Sequence, residues 1–344
     1  MIDWVKCKLP ILHEPIRSGA FVVINPDGEI ERESPMSSMV EGSYSQNISV
    51  RSVGSNGGGK AEYLEICGNP AKFLQGHNVF GSNDLLGLVH GAAQRIIINL
   101  GLDITDFEMN LIETGNYYIN WIDINESFEL RNQVDVQAWI KAAEFSSRTR
   151  CGRPTLKGST LYHQKHSRRF GIKFYSKNLE LRAGKKHELP YELRDTGIFE
   201  WTENILRAEV RLLGKELRSL KIEKAYQLTE KRIEALYGEY MKKIILTEQL
   251  RLSDETSLKL PGKLRSTYTL WSEGHSIIDM LSKATFYRHR KELLEFDIDI
   301  SIACKKKESN VVPLIRVLEA MPAQIPTWAI ENGLIYKSEI RKAS

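Results

Sequence analysis

Cysteine is scarce: the chain has four in 344 residues. They stand at positions 7, 67, 151 and 304 with no Cys-x-x-Cys pair, which excludes zinc ribbons and disulfide-stapled scaffolds and fits a reducing cytoplasm. No apolar run reaches the roughly 20 residues of a membrane-spanning helix. The opening MIDWVKCKLP lacks the hydrophobic stretch of a secretory signal. No repeat of fixed period occurs. The cluster Gly54-Ser55-Asn56-Gly57-Gly58-Gly59 does not end in the Gly-Lys-Ser/Thr of a phosphate-binding loop, and reads as a hairpin tip. What is present is ordinary globular composition, 42% hydrophobic and 27% charged, which excludes wholesale disorder. The length suits one large domain or two medium ones.

The net charge of +4 conceals a steep asymmetry. Residues 1–140 carry 9 basic and 18 acidic side chains, residues 141–190 carry 13 and 3, and residues 191–344 carry 26 and 23. A basic excess concentrated in 50 residues suits a polyanion, because Lys and Arg displace the counterions condensed on a phosphate backbone. A solvated basic face is the competing explanation.

Hydrophobic patterning predicts strands at Ala20–Ile24, Tyr44–Val53, Ala61–Cys67, Tyr117–Phe128, Ser159–Lys165, Arg169–Ser176 and Ile205–Leu212. Helices are expected at Asp84–Leu100, Asn132–Phe145 and around Ile222–Ile245. Strands joined mostly by hairpin-like turns argue for an α+β domain over residues 1–220, with an antiparallel-rich central sheet flanked by helices. Residues 221–344 read as a helical DNA-binding or accessory region. Within it, residues 276–294 resemble a helix-turn-helix in which Ser282 caps the second helix and Arg288, Arg290 and Lys291 are exposed. Plain helix packing is the alternative there.

The stretch from Thr160 to Leu181, TLYHQKHSRRFGIKFYSKNLEL, carries the most chemistry. On a strand, Lys173, Tyr175 and Lys177 share one face, while Ile172 and Phe174 point into the core. Two ammonium groups beside a phenol of ordinary pKa ~10 favour the phenolate and would neutralise an approaching phosphate. A tyrosine so placed could attack a phosphodiester; a sheet tyrosine with snorkelling lysines is the plain alternative. In Trp121–Glu126, Asp123 and Asn125 share the face opposite Ile122 and Ile124, and Asp123 could hold a hard cation. Glu65 and Glu209 occupy similar strand settings, and Arg207, Glu209 and Arg211 could form an ion-pair ladder. Acids on three strands make one cation site only if the strands are neighbours. His77 could ligate metal, contact phosphate or shape a turn. His163 and His166, three apart, fall on opposite strand faces and make a poor metal clamp.

Gly68–Leu85, Trp121–Asn125, His166–Leu181, Arg207–Glu209 and Asn310–Arg316 stand in the order in which similar blocks occur in the rolling-circle replication initiators of filamentous phages, which this chain resembles. The resemblance implies a tyrosine nickase-like domain that cuts one strand of supercoiled origin DNA, keeps its 5′ end as a phosphotyrosine, and later rejoins the displaced single strand. It places the nucleophile at Tyr175 and the charge stabiliser at Lys177, with Lys173 a weaker companion and Arg168 and Arg169 holding the DNA backbone. Phage origin DNA and a host helicase and polymerase are the implied partners. The wider nickase superfamily presents two histidines separated by one residue, and this chain has no His-x-His. Asp123, then Glu65, Glu209 and His77, are therefore the expected ligands, and their oxygen-rich character suits Mg²⁺ or Mn²⁺. Tyr162 is a second tyrosine for the closing step or a packing residue. A relaxase or transposase with the same chemistry is the related alternative. A DNA-binding regulator that does not cleave, acting through Arg288 and Arg290, is the unrelated one.

Overall fold

The strand Tyr118–Glu129 organises the molecule because Ile122 and Ile124 face one way and Asp123 and Asn125 the other. The structure is a computed structural model that describes residues 1–16, 19–184, 187–246, 260–296, 298–302 and 322–338. The block Asn310–Arg316 falls outside the described residues. In chain order the strands are β1 (Ile2–Leu9), β2 (Ala20–Ile24), β3 (Ile30–Pro35), β4 (Ser38–Glu41), β5 (Asn47–Val53), β6 (Tyr63–Gly68), β7 (Tyr118–Glu129), β8 (Ser147–Arg148), β9 (Thr155–Lys157), β10 (Thr160–His163), β11 (Phe170–Ser176), β12 (Ile205–Leu213) and β13 (Ile245–Leu246). Nine of them form one antiparallel sheet in the order β4-β5-β6-β1-β7-β12-β11-β10-β9. Strands β2 and β3 form a separate hairpin, and β8 pairs with β13.

The helices are α1 (Pro70–Gln75), α2 (Leu85–Leu100), α3 (Asp106–Glu113), α4 (Gln133–Ser146), α5 (Lys177–Leu181), α6 (Ile198–Trp201), α7 (Gly214–Ser219), α8 (Glu230–Met241), α9 (Gly262–Ser272), α10 (Ile277–Met280), α11 (Lys283–Leu294) and α12 (Thr327–Glu331). Their starts follow local chemistry. The side chains of Asn69, Asp84, Asn132, Ser176 and Ser282 each accept a backbone N–H of the first turn of α1, α2, α4, α5 and α11. The architecture is α+β, with a large antiparallel sheet.

Residues directly opposite one another in an antiparallel ladder share a face. On one face lie Ile66, Ile122, Ile124, Val210, Ile172 and Phe174, all nearly or fully buried. They form a single core with Trp139 of α4 and with Leu88, Val89 and Ile96 of α2. Leu228, Ile233, Leu236 and Tyr240 belong to the same core, so the chain crosses residue 220 without leaving it. A second core, containing Leu264, Tyr268, Ile277, Phe286 and Leu293, holds α9, α10 and α11 together. The chain then returns to the sheet. Ala329 and Leu334 pack with Phe80, Leu181 and Ile198, and the Ala323 N–H donates to the Ser127 carbonyl at 2.7 Å. The described residues beyond 220 are thus shared among three cores rather than gathered in one helical unit. Among the described residues no helix is long and apolar enough to cross a membrane.

The opposite face of the sheet carries Asp123, Asn125, Glu209, Lys173 and Tyr175, and its position is set by how tightly the apolar side is held. Trp139 is fully buried with its ring centroid 5.0 Å from that of Phe174, directly behind Lys173 and Tyr175. Trp139→Ala should lower unfolding stability by about 3–5 kcal/mol, measured by urea denaturation.

Candidate active site

Tyr175 lies near the end of β11, across from Arg207 of β12, and Arg207 lies across from Ser127 of β7. One register step away, Lys173 lies opposite Glu209, and Glu209 opposite Asn125. A further step brings Arg211 opposite Asp123, and Asp123 opposite Trp4 of β1. Three polar rows therefore cross adjacent strands.

The rows are wired by ion pairs. Glu209 is ion-paired with Lys173 Nζ at 2.7 Å and accepts the Tyr175 hydroxyl at 3.4 Å. Asp123 accepts the Arg211 guanidinium at 3.3 Å and the Trp121 indole N–H. The ladder suggested by Arg207, Glu209 and Arg211 therefore runs across strands, except that Arg207 makes no bond to a carboxylate. Its fully buried guanidinium donates to the carbonyls of Asn78 and Val79 at 2.6 and 2.7 Å and to the Ser127 hydroxyl. It fastens the His77–Val79 loop to the sheet.

The structure departs from the expected Lys-Tyr-Lys face at Lys177. The strand ends at Ser176, whose hydroxyl caps α5 by accepting the Leu179 N–H at 3.2 Å. Lys177 is thus the first residue of a helix, fully buried, donating to Asn78 Oδ1 at 2.8 Å and to Glu180 Oε2 at 2.6 Å. Local capping outcompetes strand continuation. Burial lowers the Lys177 pKa, against the Glu180 carboxylate, which raises it.

The surroundings of Tyr175 work against the expected lysine-stabilised phenolate. Burial pushes the Tyr175 phenol well above its ordinary pKa, and Glu209 and Glu180 push the same way. Only 4% of Tyr175 is exposed, so desolvation outweighs the cations. Lys173, whose Nζ sits 5.1 Å from the tyrosine ring centroid, is occupied by Glu209. Burial also raises the Glu209 pKa well above the carboxylate range; Lys173 opposes this, while the nearby Asp123 and Asp3 carboxylates reinforce it.

Of the expected cation ligands, Asp123 and Glu209 come together on neighbouring strands. Glu65 does not. Strand β1 separates β6 from β7, and Glu65 is paired with Lys6 at 3.2 Å and Arg51 at 2.5 Å. Two strand spacings and a four-residue offset put it about 16 Å from Asp123. His77 is 1% exposed and uses both ring nitrogens on the backbone: Nε2 donates to the Leu334 carbonyl at 2.8 Å, and Nδ1 accepts the Val79 N–H at 3.2 Å. Burial pushes its pKa down to about 4. The αL turn at Gly76 (φ 87°) directs the chain into this position, and a Cβ there would meet the Tyr44 ring. Among the described residues no group of three His, Cys, Asp or Glu closes around a metal position. Arg168 and Arg169 sit at the far end of β11, six or seven residues, about 20 Å, from Tyr175. Arg169 is engaged with Glu216 at 2.6 Å, and Arg168 is exposed.

Three residues join the site beyond the expected ligands. Asn125 is fully buried with both amide atoms lacking a hydrogen-bond partner, directly beside Glu209. Its period-two spacing from Asp123 was the available signal. Asp3 accepts Asn69 Nδ2 at 2.7 Å and Asn78 Nδ2 at 2.8 Å. Asn78 thereby links Asp3 to Lys177, a connection no linear spacing discloses.

Comparison with known proteins matches residues 1–231 to the N-terminal family model of the phage replication-associated proteins, and residues 252–335 to the C-terminal model of the same proteins. The chain belongs to this replication-associated protein family. It is the phage initiator family that the sequence blocks resemble. The replication-associated protein of Enterobacteria phage I2-2 is 44% identical over 340 residues, 98% of either chain. A rolling-circle replication initiator from Geobacillus stearothermophilus covers 76% of this chain and 91% of its own at 12% identity and a TM-score of 0.32, too loose a likeness for any residue correspondence.

In this member of the replication-associated family, Glu209 and burial together hold the Tyr175 proton. Glu209→Gln should bring the Tyr175 ionisation down towards the ordinary tyrosine range. Ultraviolet difference titration, with Tyr175→Phe to assign the signal, measures it.

Proposed function

We propose that this chain initiates and ends rolling-circle replication by nicking and rejoining phage origin DNA through Tyr175. The observation that carries the reading is the buried row Lys173–Glu209 with the Tyr175 hydroxyl turned to Glu209. Attack by the Tyr175 oxygen on the scissile phosphorus breaks the P–O3′ bond, leaves the 5′ phosphate on tyrosine and releases the 3′ oxygen, which takes a proton from water to become the free 3′-OH. Glu209, whose raised pKa suits a base, takes the phenolic proton. Lys173, released from Glu209 as that carboxylate is neutralised, is then free to compensate the phosphate charge. Rejoining reverses these steps and needs no external energy source, because one phosphodiester replaces another.

The donor set fits a hard divalent cation. With Glu209 kept as the base, Asp123 would supply a carboxylate oxygen and the unpartnered Asn125 amide a second, the phosphate and water completing the set. Mg²⁺ or Mn²⁺ held there would polarise the scissile phosphate.

Duplex DNA would be held by two basic surfaces. Arg148, Arg150, Arg153, Lys157 and Arg168 are exposed around the β9–β10 edge. Helix α11 exposes Lys283, Tyr287, Arg288 and Lys291, whereas Arg290 is bonded at 2.7 Å to both oxygens of Asp299, which gives it a bracing role in the fold. A host helicase and polymerase would act on the opened strand.

Tyr175→Phe should abolish nicking of supercoiled origin DNA and the covalent DNA adduct, and EDTA should reduce nicking at least 100-fold. Gel assays of nicked circles and peptide mapping of the adduct test both. Binding without any nick would favour a regulator that does not cleave. Arg288→Ala with Lys291→Ala should lower origin affinity and flatten its salt dependence by about two units of log–log slope, while Arg290→Ala should act mainly on stability. Fluorescence anisotropy across salt concentrations separates the two.

A further inference from the structure

A cavity of about 190 Å³ opens beside the polar rows, and the chemistry above does not use it. Phe80, Asn83, Glu126, Ser127, Trp201 and Ile325 line it. Its volume is below the roughly 300–1,000 Å³ of ordinary small-molecule pockets, and suits one planar ring system.

We propose that this cavity binds a single unstacked nucleobase of the strand being cut, one that carries an exocyclic amino group. The proposal rests on the nicking reading of Tyr175. Three observations support it. The first is position: Ser127, Arg207 and Tyr175 form one row across β7, β12 and β11, so the cavity wall stands two strand spacings, about 10 Å, from the nucleophile. At the ~3.4 Å spacing of stacked nucleotides, that is within three positions of the scissile phosphate.

The second is shape. Phe80 and Trp201 form an aromatic wall, with ring centroids 4.9 Å apart, against which a base can pack once it leaves its neighbours. The third is polarity. Asn83 lines the cavity with its Oδ1 lacking a hydrogen-bond partner, and Glu126, one of whose oxygens is paired with the Met1 ammonium at 3.4 Å, adds a carboxylate. Both are acceptors. Cytosine and adenine present an amino donor where thymine presents a carbonyl and a methyl group. A buried acceptor left unpaired by the wrong base penalises that base, so the cavity discriminates.

The test uses the full chain and single-stranded origin oligonucleotides. At each of three positions on either side of the nick, the natural base is replaced in turn by an abasic site and by thymine. One position with an amino-bearing base should lose at least tenfold in kcat/KM with either replacement. Asn83→Leu should lose a similar factor on intact DNA and nothing further on DNA abasic at that position. Additive losses, or no sensitive position, would overturn the base site. Mapping the DNA adduct in the same reactions separates the two ideas: an adduct on another residue refutes the Tyr175 reading, whereas an adduct on Tyr175 with a flat base scan refutes only this one.

Discussion

The arrangement of the site depends on the burial of charge on one face of an antiparallel sheet. A carboxylate removed from water must find a cation or donors, and Glu209 and Asp123 find Lys173 and Arg211 on adjacent strands. These pairs join β7, β12 and β11 side chain to side chain, in register with the backbone ladder. Burial at this level contributes little net stability, since desolvation offsets most of the Coulombic attraction. Its effect is geometric: each charge has one low-energy position. Tyr175 inherits its orientation from this lattice through its bond to Glu209.

Arg207 shows the same constraint without an acid. Its guanidinium is buried among two carbonyls and a hydroxyl, and so ties the loop after α1 to β12. That loop carries Asn78, whose amide oxygen receives Lys177 and whose amide nitrogen serves Asp3. Charges from β1, β12 and α5 are thereby coupled through one residue, Arg207 at its main-chain carbonyl and Asp3 and Lys177 at its side chain. The final described segment closes the assembly from outside, with Leu334 accepting from His77 and the Tyr336 N–H donating to Gln75 Oε1. Residues beyond the helical module of α9, α10 and α11 thus form part of the wall of the sheet domain.

Much of the fold was legible because its elements are strongly periodic or sharply capped. Strand β7 alternates, α2 begins at Asp84, and α4 begins at Asn132, all close to where patterning places them. Strand β1 was harder to place: its role at the centre of the sheet, between β6 and β7, comes from pairings with residues about 60 and 120 positions away. The end of β11 misled for a local reason, since Ser176 can either continue a strand or cap a helix, and the sequence after it favours the cap.

By itself the sequence determined the α+β alternation, the basic stretch near Tyr175 and the polar spacing of Asp123 and Asn125, because these are properties of neighbouring residues. Only tertiary structure decided which acids meet. Strand order brings Glu209 to Asp123 and leaves Glu65 with Lys6 and Arg51. It also decided the ionisation of Tyr175, because desolvation and cross-strand charge depend on what surrounds the hydroxyl in space, and linear neighbours do not specify that environment.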